Sequence, residues 1–175
     1  MFLNLSANPK HLCKVLQDSL ILKDISMFEK ECKQSVKLRT YNLLFSPFVP
    51  HVNTVAYSRL CLPFIVRKRL AQIRLGVLPI KIETDRYLKV PSDQRLCIQP
   101  NCKHDGDNLS YIENEQHFMI QCHQYDDLRT DLYSKISIPG FSTFSDYDKL
   151  IYLLTCRDFA KIVGQFVVDA FDIRL

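Results

Sequence analysis

A chain of 175 residues with 47% hydrophobic and 24% charged residues has the balance of a folded domain rather than a disordered one, and is long enough to bury one real core. No Trp and only four Gly argue against a loop-rich or all-β scaffold, and the longest apolar stretch, residues 60–66, holds Pro63 and is too short to cross a membrane. The net charge of +4 is a mild bias that favours polyanions without identifying one.

Residues 11–23 carry Leu12, Val15, Leu16, Leu20 and Leu22 at close to helical spacing. Ser26 with Glu29 reads as a capping box opening a helix to about Leu44, with Phe28, Cys32, Val36 and Leu43 on one side and Lys30, Lys33, Lys37 and Arg39 on the other. Pro47 and Pro50 break that pattern and make a connector. After Pro63, the residues Val66, Leu70, Ile73 and Val77 recur at intervals of four, three and four, so a basic helix is expected at about 63–76. Its charges, Arg67, Lys68, Arg69 and Arg74, are expected around an exposed side where they can meet phosphates. Residues 78–90 read as an irregular or partly extended link.

The segment from Arg95 to Tyr125 carries the chemistry. Cys97 and Cys102 stand with four residues between them, fourteen residues follow, and His117 and Cys122 again have four residues between them. Two close pairs of sulfur or imidazole ligands are the pattern of a structural zinc site, because one turn must aim each pair at one ion. Seven cysteines, an odd number, and an N-terminus without the apolar core of a secretory signal favour thiols kept for metal in a reducing compartment, cytoplasmic or nuclear, over a disulfide framework. Four protein ligands leave no open position, which points to structural rather than catalytic Zn²⁺. His104 and His123 stand beside ligands of the quartet, and either is placed to substitute for one. Lys103 adds a positive charge at the knuckle. Ser110 with Glu113 reads as a capping box that starts a helix near Tyr111. Residues five apart on an α-helix diverge by about 140°, so convergence of His117 and Cys122 requires that helix to end between them.

Downstream, Leu128, Leu132, Tyr133 and Ile136 mark a short helix stopped by Pro139 and Gly140. Asp126 and Asp127 then fall in its first turn, so the Tyr-Asp-Asp triplet reads as a helix entry rather than a polymerase metal hairpin. Ser145 caps the next helix, with Tyr147, Leu150, Ile151 and Leu154 inward. The last helix repeats Phe159, Ile162, Val163, Phe166, Val167, Ala170 and Phe171 at three-and-four spacing, a packing face for this domain or a partner. No phosphate-binding glycine loop, nucleophile elbow or His-Glu-x-x-His motif occurs, so a small-molecule substrate and catalysis are not expected.

Taken in order, the residues Arg69-Leu70, Ile73-Arg74-Leu75-Gly76, Ile82-Glu83-Thr84-Asp85-Arg86-Tyr87, Arg95-Leu96-Cys97, Ile112-Glu113-Asn114-Glu115-Gln116-His117-Phe118, Cys122, Tyr125 and Leu128-Arg129 resemble the C-terminal tail of LINE-type (non-LTR) retrotransposon reverse transcriptases. The similarity runs from about Asp24 to Lys135 and continues more faintly to Arg174. The resemblance implies a zinc-binding module beyond the polymerase and thumb that helps hold template RNA or target DNA, with Cys97, Cys102, His117 and Cys122 at the ligand positions. The four-residue gap between the cysteines is longer than the family's usual spacing. Polymerase palm and endonuclease motifs are absent, so the chain reads as a remnant or separate reading frame that does not itself copy RNA.

The expectation is a mostly α-helical protein with a small Cys-Cys-His-Cys insert: a helical region over 1–90, a zinc knuckle over 91–125, and helices over 126–175 packed on the same unit. The function expected is non-catalytic binding of RNA or DNA. The alternative is a protein-interaction module presenting Phe166, Val167 and Phe171, or a decayed fragment.

Overall fold

The computed structural model describes residues 39–44, 60–102 and 111–174, with isolated positions between 19 and 35. The chain divides into two compact units, Met1–Val36 and Lys37–Leu175, and the named helices all lie in the second. Apart from Ser19, which is helical, the helix expected over 11–23 falls outside the described residues, as do the connector at Pro47 and Pro50, Lys103 and His104. The long helix expected from Ser26 to Leu44 is interrupted. Ser35 is not helical, in keeping with a serine side chain that competes for nearby backbone groups.

The second unit is mostly helical: α1 (Arg39–Leu44), α2 (Phe64–Arg74), α3 (Lys81–Tyr87), α4 (Asp126–Ser134), α5 (Asp146–Thr155) and α6 (Ala160–Asp172). Among the described residues there is no strand, only a single antiparallel bridge between Leu96 and Ile112, and no helix long and apolar enough to cross a membrane. Helix α6 is the central element, packed against α2, α4 and α5, while α1 touches α2 and α5. Its buried positions Ala160, Val163, Phe166, Val167 and Ala170 follow the three-and-four spacing read from the sequence. Each large apolar side chain among them contributes about 1.5–3 kcal/mol on burial. Phe166 and Val167 are therefore spent inside this unit, and Phe171 is covered in part by the Arg69 guanidinium 4.0 Å above its ring.

Helix α2 begins after Pro63 and buries Val66, Leu70 and Ile73 as their spacing requires, but it ends at Arg74, short of Val77. The stop is a paired hydrogen bond: the Gly76 N–H donates to the Ile73 carbonyl at 3.2 Å and the Val77 N–H to the Gln72 carbonyl at 2.9 Å. This closure needs a left-handed residue, and Gly76 supplies it at φ 69°. The basic residues do not share one exposed side. Arg67 and Lys68 face solvent, Arg69 lies over Phe171, and Arg74 is buried. A residue's place on the helix decides this: Arg74 follows Ile73 in the last turn and lies on the apolar side with Val66, Leu70 and Ile73.

Residues 78–90 are not an irregular link, because Lys81–Tyr87 forms α3. Its N-cap position is Ile80, which offers no side-chain acceptor; the acceptor comes from Glu113 instead, whose Oε2 takes the Lys81 N–H at 2.8 Å and whose carbonyl takes the Ile82 N–H at 3.0 Å. Helix α5 starts as read, with Ser145 Oγ accepting the Asp148 N–H at 3.1 Å. Its inward face is Leu150, Leu153 and Leu154, whereas Tyr147 is exposed and Ile151 half-buried.

Gly164 is what allows α2 and α6 to approach. A Cβ on it would stand 2.5 Å from Val66 Cγ1 and 2.9 Å from Leu70 Cγ. Gly164→Ala raises helix propensity by about 1 kcal/mol, yet the overpacking it forces costs about 1–3 kcal/mol. The expected outcome is a lower urea midpoint for G164A, partly restored when Val66→Ala is combined with it. A double-mutant cycle with no coupling between the two sites would show that the helices part freely.

Candidate metal centre

The first ligand pair sits on a loop held by backbone bonds. The Cys97 N–H donates to the Tyr111 carbonyl and the Glu113 N–H to the Arg95 carbonyl, each at 2.9 Å, so residues 95–97 and 111–113 run antiparallel over this short stretch. A turn follows, in which the Cys102 N–H returns to the Gln99 carbonyl at 3.0 Å, and Pro100 and Asn101 lie inside it. Cys97 and Cys102 are both buried.

The second pair sits on a helix that starts later than Ser110 and Glu113 suggest. Residues 111–114 are extended or irregular, and helix begins at Glu115. The cap is Asn114, whose Oδ1 accepts the His117 N–H at 2.8 Å. Glu113 is not part of a capping box; its carboxylate is turned to α3. From His117 to Gln121 the helix widens into a π-helical turn, closed by the Cys122 N–H on the His117 carbonyl at 2.8 Å. Hydrogen bonds of this i to i+5 type place residues five apart one turn above each other. The helix also ends between the two ligands, as their interval leads one to expect: Gln121 is its last residue, and Cys122 stands at the C-cap with extended backbone.

Together the four donors form one cluster. The ligand atoms of Cys97, Cys102, His117 and Cys122 all lie within 4.8 Å of one another, with the Cys97 and Cys122 sulfurs 3.8 Å apart and Cys102 Sγ 3.4 Å from His117 Nε2. They are close enough to hold one metal ion, and all four residues are buried. The other histidine in view is committed elsewhere: His123 Nδ1 pairs with Asp126 Oδ2 at 3.0 Å at the surface. The His117 ring stacks on Tyr111, with centroids 5.3 Å apart.

The surroundings of Cys97 and Cys102 favour their protonated forms. Contact with the Cys122 sulfur and burial push Cys97 up to about 12, and burial, with the Cys97 sulfur next to it, pushes Cys102 up to about 11. At neutral pH both are neutral without metal, and binding displaces their protons.

Three charged residues frame the cluster, and spacing in the sequence marks none of them. Arg129 on α4 is buried and donates from Nε to the Met119 carbonyl at 3.1 Å and from Nη2 to the Cys122 carbonyl at 2.7 Å, while Nη1 pairs with Asp126. It thereby closes the C-terminal end of the π-helical turn. Asp126 and Asp127 do fall in the first turn of α4. Glu113 is fully buried, with Oε1 3.9 Å from Cys97 Sγ. Arg174, just beyond α6, binds that carboxylate through both terminal nitrogens, Nη1 on Oε1 and Nη2 on Oε2, the latter at 2.7 Å. Burial opposes the charge on Arg174, but Glu113 and the Tyr125 hydroxyl outweigh it, and its guanidinium is held above the ordinary arginine range.

Comparison with protein-family models, with curated proteins and with solved structures finds no match to the chain.

Replacing Arg129 by Met keeps the buried stem and removes its bonds to the Met119 and Cys122 carbonyls, of which the second still accepts the Tyr125 N–H at 3.1 Å. A buried acceptor left unmet costs about 1–3 kcal/mol, so R129M is expected to unfold in urea with stability lower by about 2 kcal/mol or more. Arg129→Lys recovers only part of the loss, since one ammonium does not reproduce the planar fork. Equal stability of R129M and wild type would show that the clamp is idle.

Proposed function

We propose that the quartet holds a single structural Zn²⁺ and that the chain is a non-catalytic module working on RNA or DNA. The observation that carries the metal assignment is the spacing of the donors. Zn–S bonds of about 2.3 Å and a Zn–N bond of about 2.0 Å, arranged tetrahedrally, set sulfur–sulfur edges of about 3.8 Å and sulfur–nitrogen edges of about 3.5 Å. Two edges of the cluster, at 3.8 Å and 3.4 Å, match those values, and all four donor atoms lie within 4.8 Å of one another. Three thiolates and an imidazole suit zinc among the divalent ions, and four buried protein ligands leave no coordination position for substrate or water. The ion's work in this reading is to tie the loop at Cys97 and Cys102 to the helix at His117.

Purified under reducing conditions, the protein is expected to carry about one zinc per chain by native mass spectrometry. Cys97→Ser or His117→Ala should lose the metal and with it resistance to protease. Undiminished folding after complete metal removal would end the structural role.

The nucleic-acid reading is supported by the resemblance to the tail of LINE-type reverse transcriptases and by the exposed pair Arg67 and Lys68 on α2. With Arg69 and Arg74 turned to Phe171 and the core, these two are the residues of that helix left for phosphates. Of the three residues that motivate the protein-interaction alternative, Phe166 and Val167 are buried and Phe171 is partly exposed.

The double variant R67A/K68A is expected to bind single-stranded RNA or duplex DNA more weakly. The slope of log affinity against log salt should become shallower by about 0.7–0.9 for each phosphate no longer neutralised. Binding indifferent to both substitution and salt would remove nucleic acid from the proposal.

A further inference from the structure

Glu113 stands where a zinc site least favours a carboxylate. Its Oε1 lies 3.9 Å from the Cys97 sulfur, and the side chain is fully buried. A metal-bound cysteine is a thiolate, so in an ion-bound cluster this contact sets one anion against another away from water. The carboxylate is not free to turn away, since Oε2 accepts the Lys81 N–H at the start of α3 at 2.8 Å.

We propose that Arg174 is the positioning residue that makes Cys97 usable as an anionic ligand, by neutralising the Glu113 carboxylate that faces it. This deepens the zinc reading and rests on it. The oxygen turned to Cys97, Oε1, is the one that Arg174 Nη1 binds, while Nη2 takes Oε2 at 2.7 Å. The guanidinium is held in turn by the Tyr125 hydroxyl at 3.4 Å and lies 5.7 Å from the Phe171 ring centroid. With the ion at +2, three thiolates at −3, the carboxylate at −1 and the guanidinium at +1, the assembly carries −1; without Arg174 it carries −2. The last turn of the domain thus sets how tightly a loop far earlier in the chain holds its metal, since Arg174 and Glu113 are 61 residues apart.

The test is zinc affinity of the whole chain, measured by competition with a chromophoric chelator, for wild type, R174Q, E113Q and E113Q/R174Q, with helicity checked by circular dichroism. R174Q is expected to bind zinc about tenfold or more weakly, the range seen when a partner of a metal ligand is removed. The double variant deletes both charges and is expected to return to within about threefold of wild type, because the side-chain amide oxygen introduced by E113Q still accepts the Lys81 N–H. Arg174→Lys keeps the charge without the planar fork and should bind zinc more tightly than R174Q. A double variant as weak as R174Q, or an R174K no tighter than R174Q, would make Arg174 a structural tie and overturn the proposal. Tight zinc in the wild type together with unchanged affinity in R174Q overturns this inference alone. No zinc in the wild type overturns the metal reading beneath it.

Discussion

One fully buried carboxylate gathers the parts of this domain that are farthest apart in the chain. Glu113 caps α3 through the Lys81 N–H, pairs by its backbone with Arg95 and Ile82, faces Cys97 and receives the bidentate guanidinium of Arg174. A buried charge without partners would cost several kcal/mol, so these groups are bound to one another as a set. The helix that follows Pro79, the cysteine loop and the end of α6 can each be in place only when the others are. The cluster of thiols and imidazole is built on this arrangement rather than beside it.

Two modes of cohesion divide the domain. Around α6 the contacts are apolar, and the close passage of α2 over Gly164 makes shape the deciding quantity. Around the cysteines the packing is uneven: Phe118, Met119 and Tyr125 are buried, while the loop carries Ile98 at the surface and the short antiparallel pair exposes Ile112. There the chain relies on directional bonds, from the Asn114 cap to the Arg129 clamp on the carbonyls of Met119 and Cys122. Phe118 joins the two regions, with Tyr125 edge-on at 5.0 Å on one side and Phe166 at 6.3 Å on the other.

How much of this is legible in the sequence depends on whether the cause is local. The helical character and the inward face of α6 follow from side-chain periodicity, and the quartet follows from the spacing of its cysteines and histidine. Ser145 announces α5 because its acceptor lies three residues from the N–H it meets. Helix α3 escapes a sequence reading because its acceptor is 32 residues away, on Glu113, and the same glutamate looks like a local cap for the segment in which it stands. Arg74 looks like surface charge because arginine usually is, although it stands four residues after Leu70 and eight after Val66, on the stripe that faces the core. Arg129 and Arg174 carry no motif; the only sign they give is as scattered matches in the retroelement resemblance.

The widened turn from His117 to Cys122 has a consequence for how such sites tolerate change in length. In an ordinary α-helix, ligands four apart are stacked one turn above each other; here an interval of five is met by a wide turn that ends at Gln121, with Cys122 at its C-cap. The two forms differ by one inserted residue, absorbed as a local swelling of the helix. Arg129 holds the swollen end by its carbonyls, so the extra residue need not be passed on as a rotation of α4. Counting residues between ligands thus undercounts the arrangements that can place them, and a ligand interval that looks out of step with α-helical geometry need not disqualify a helix as its support.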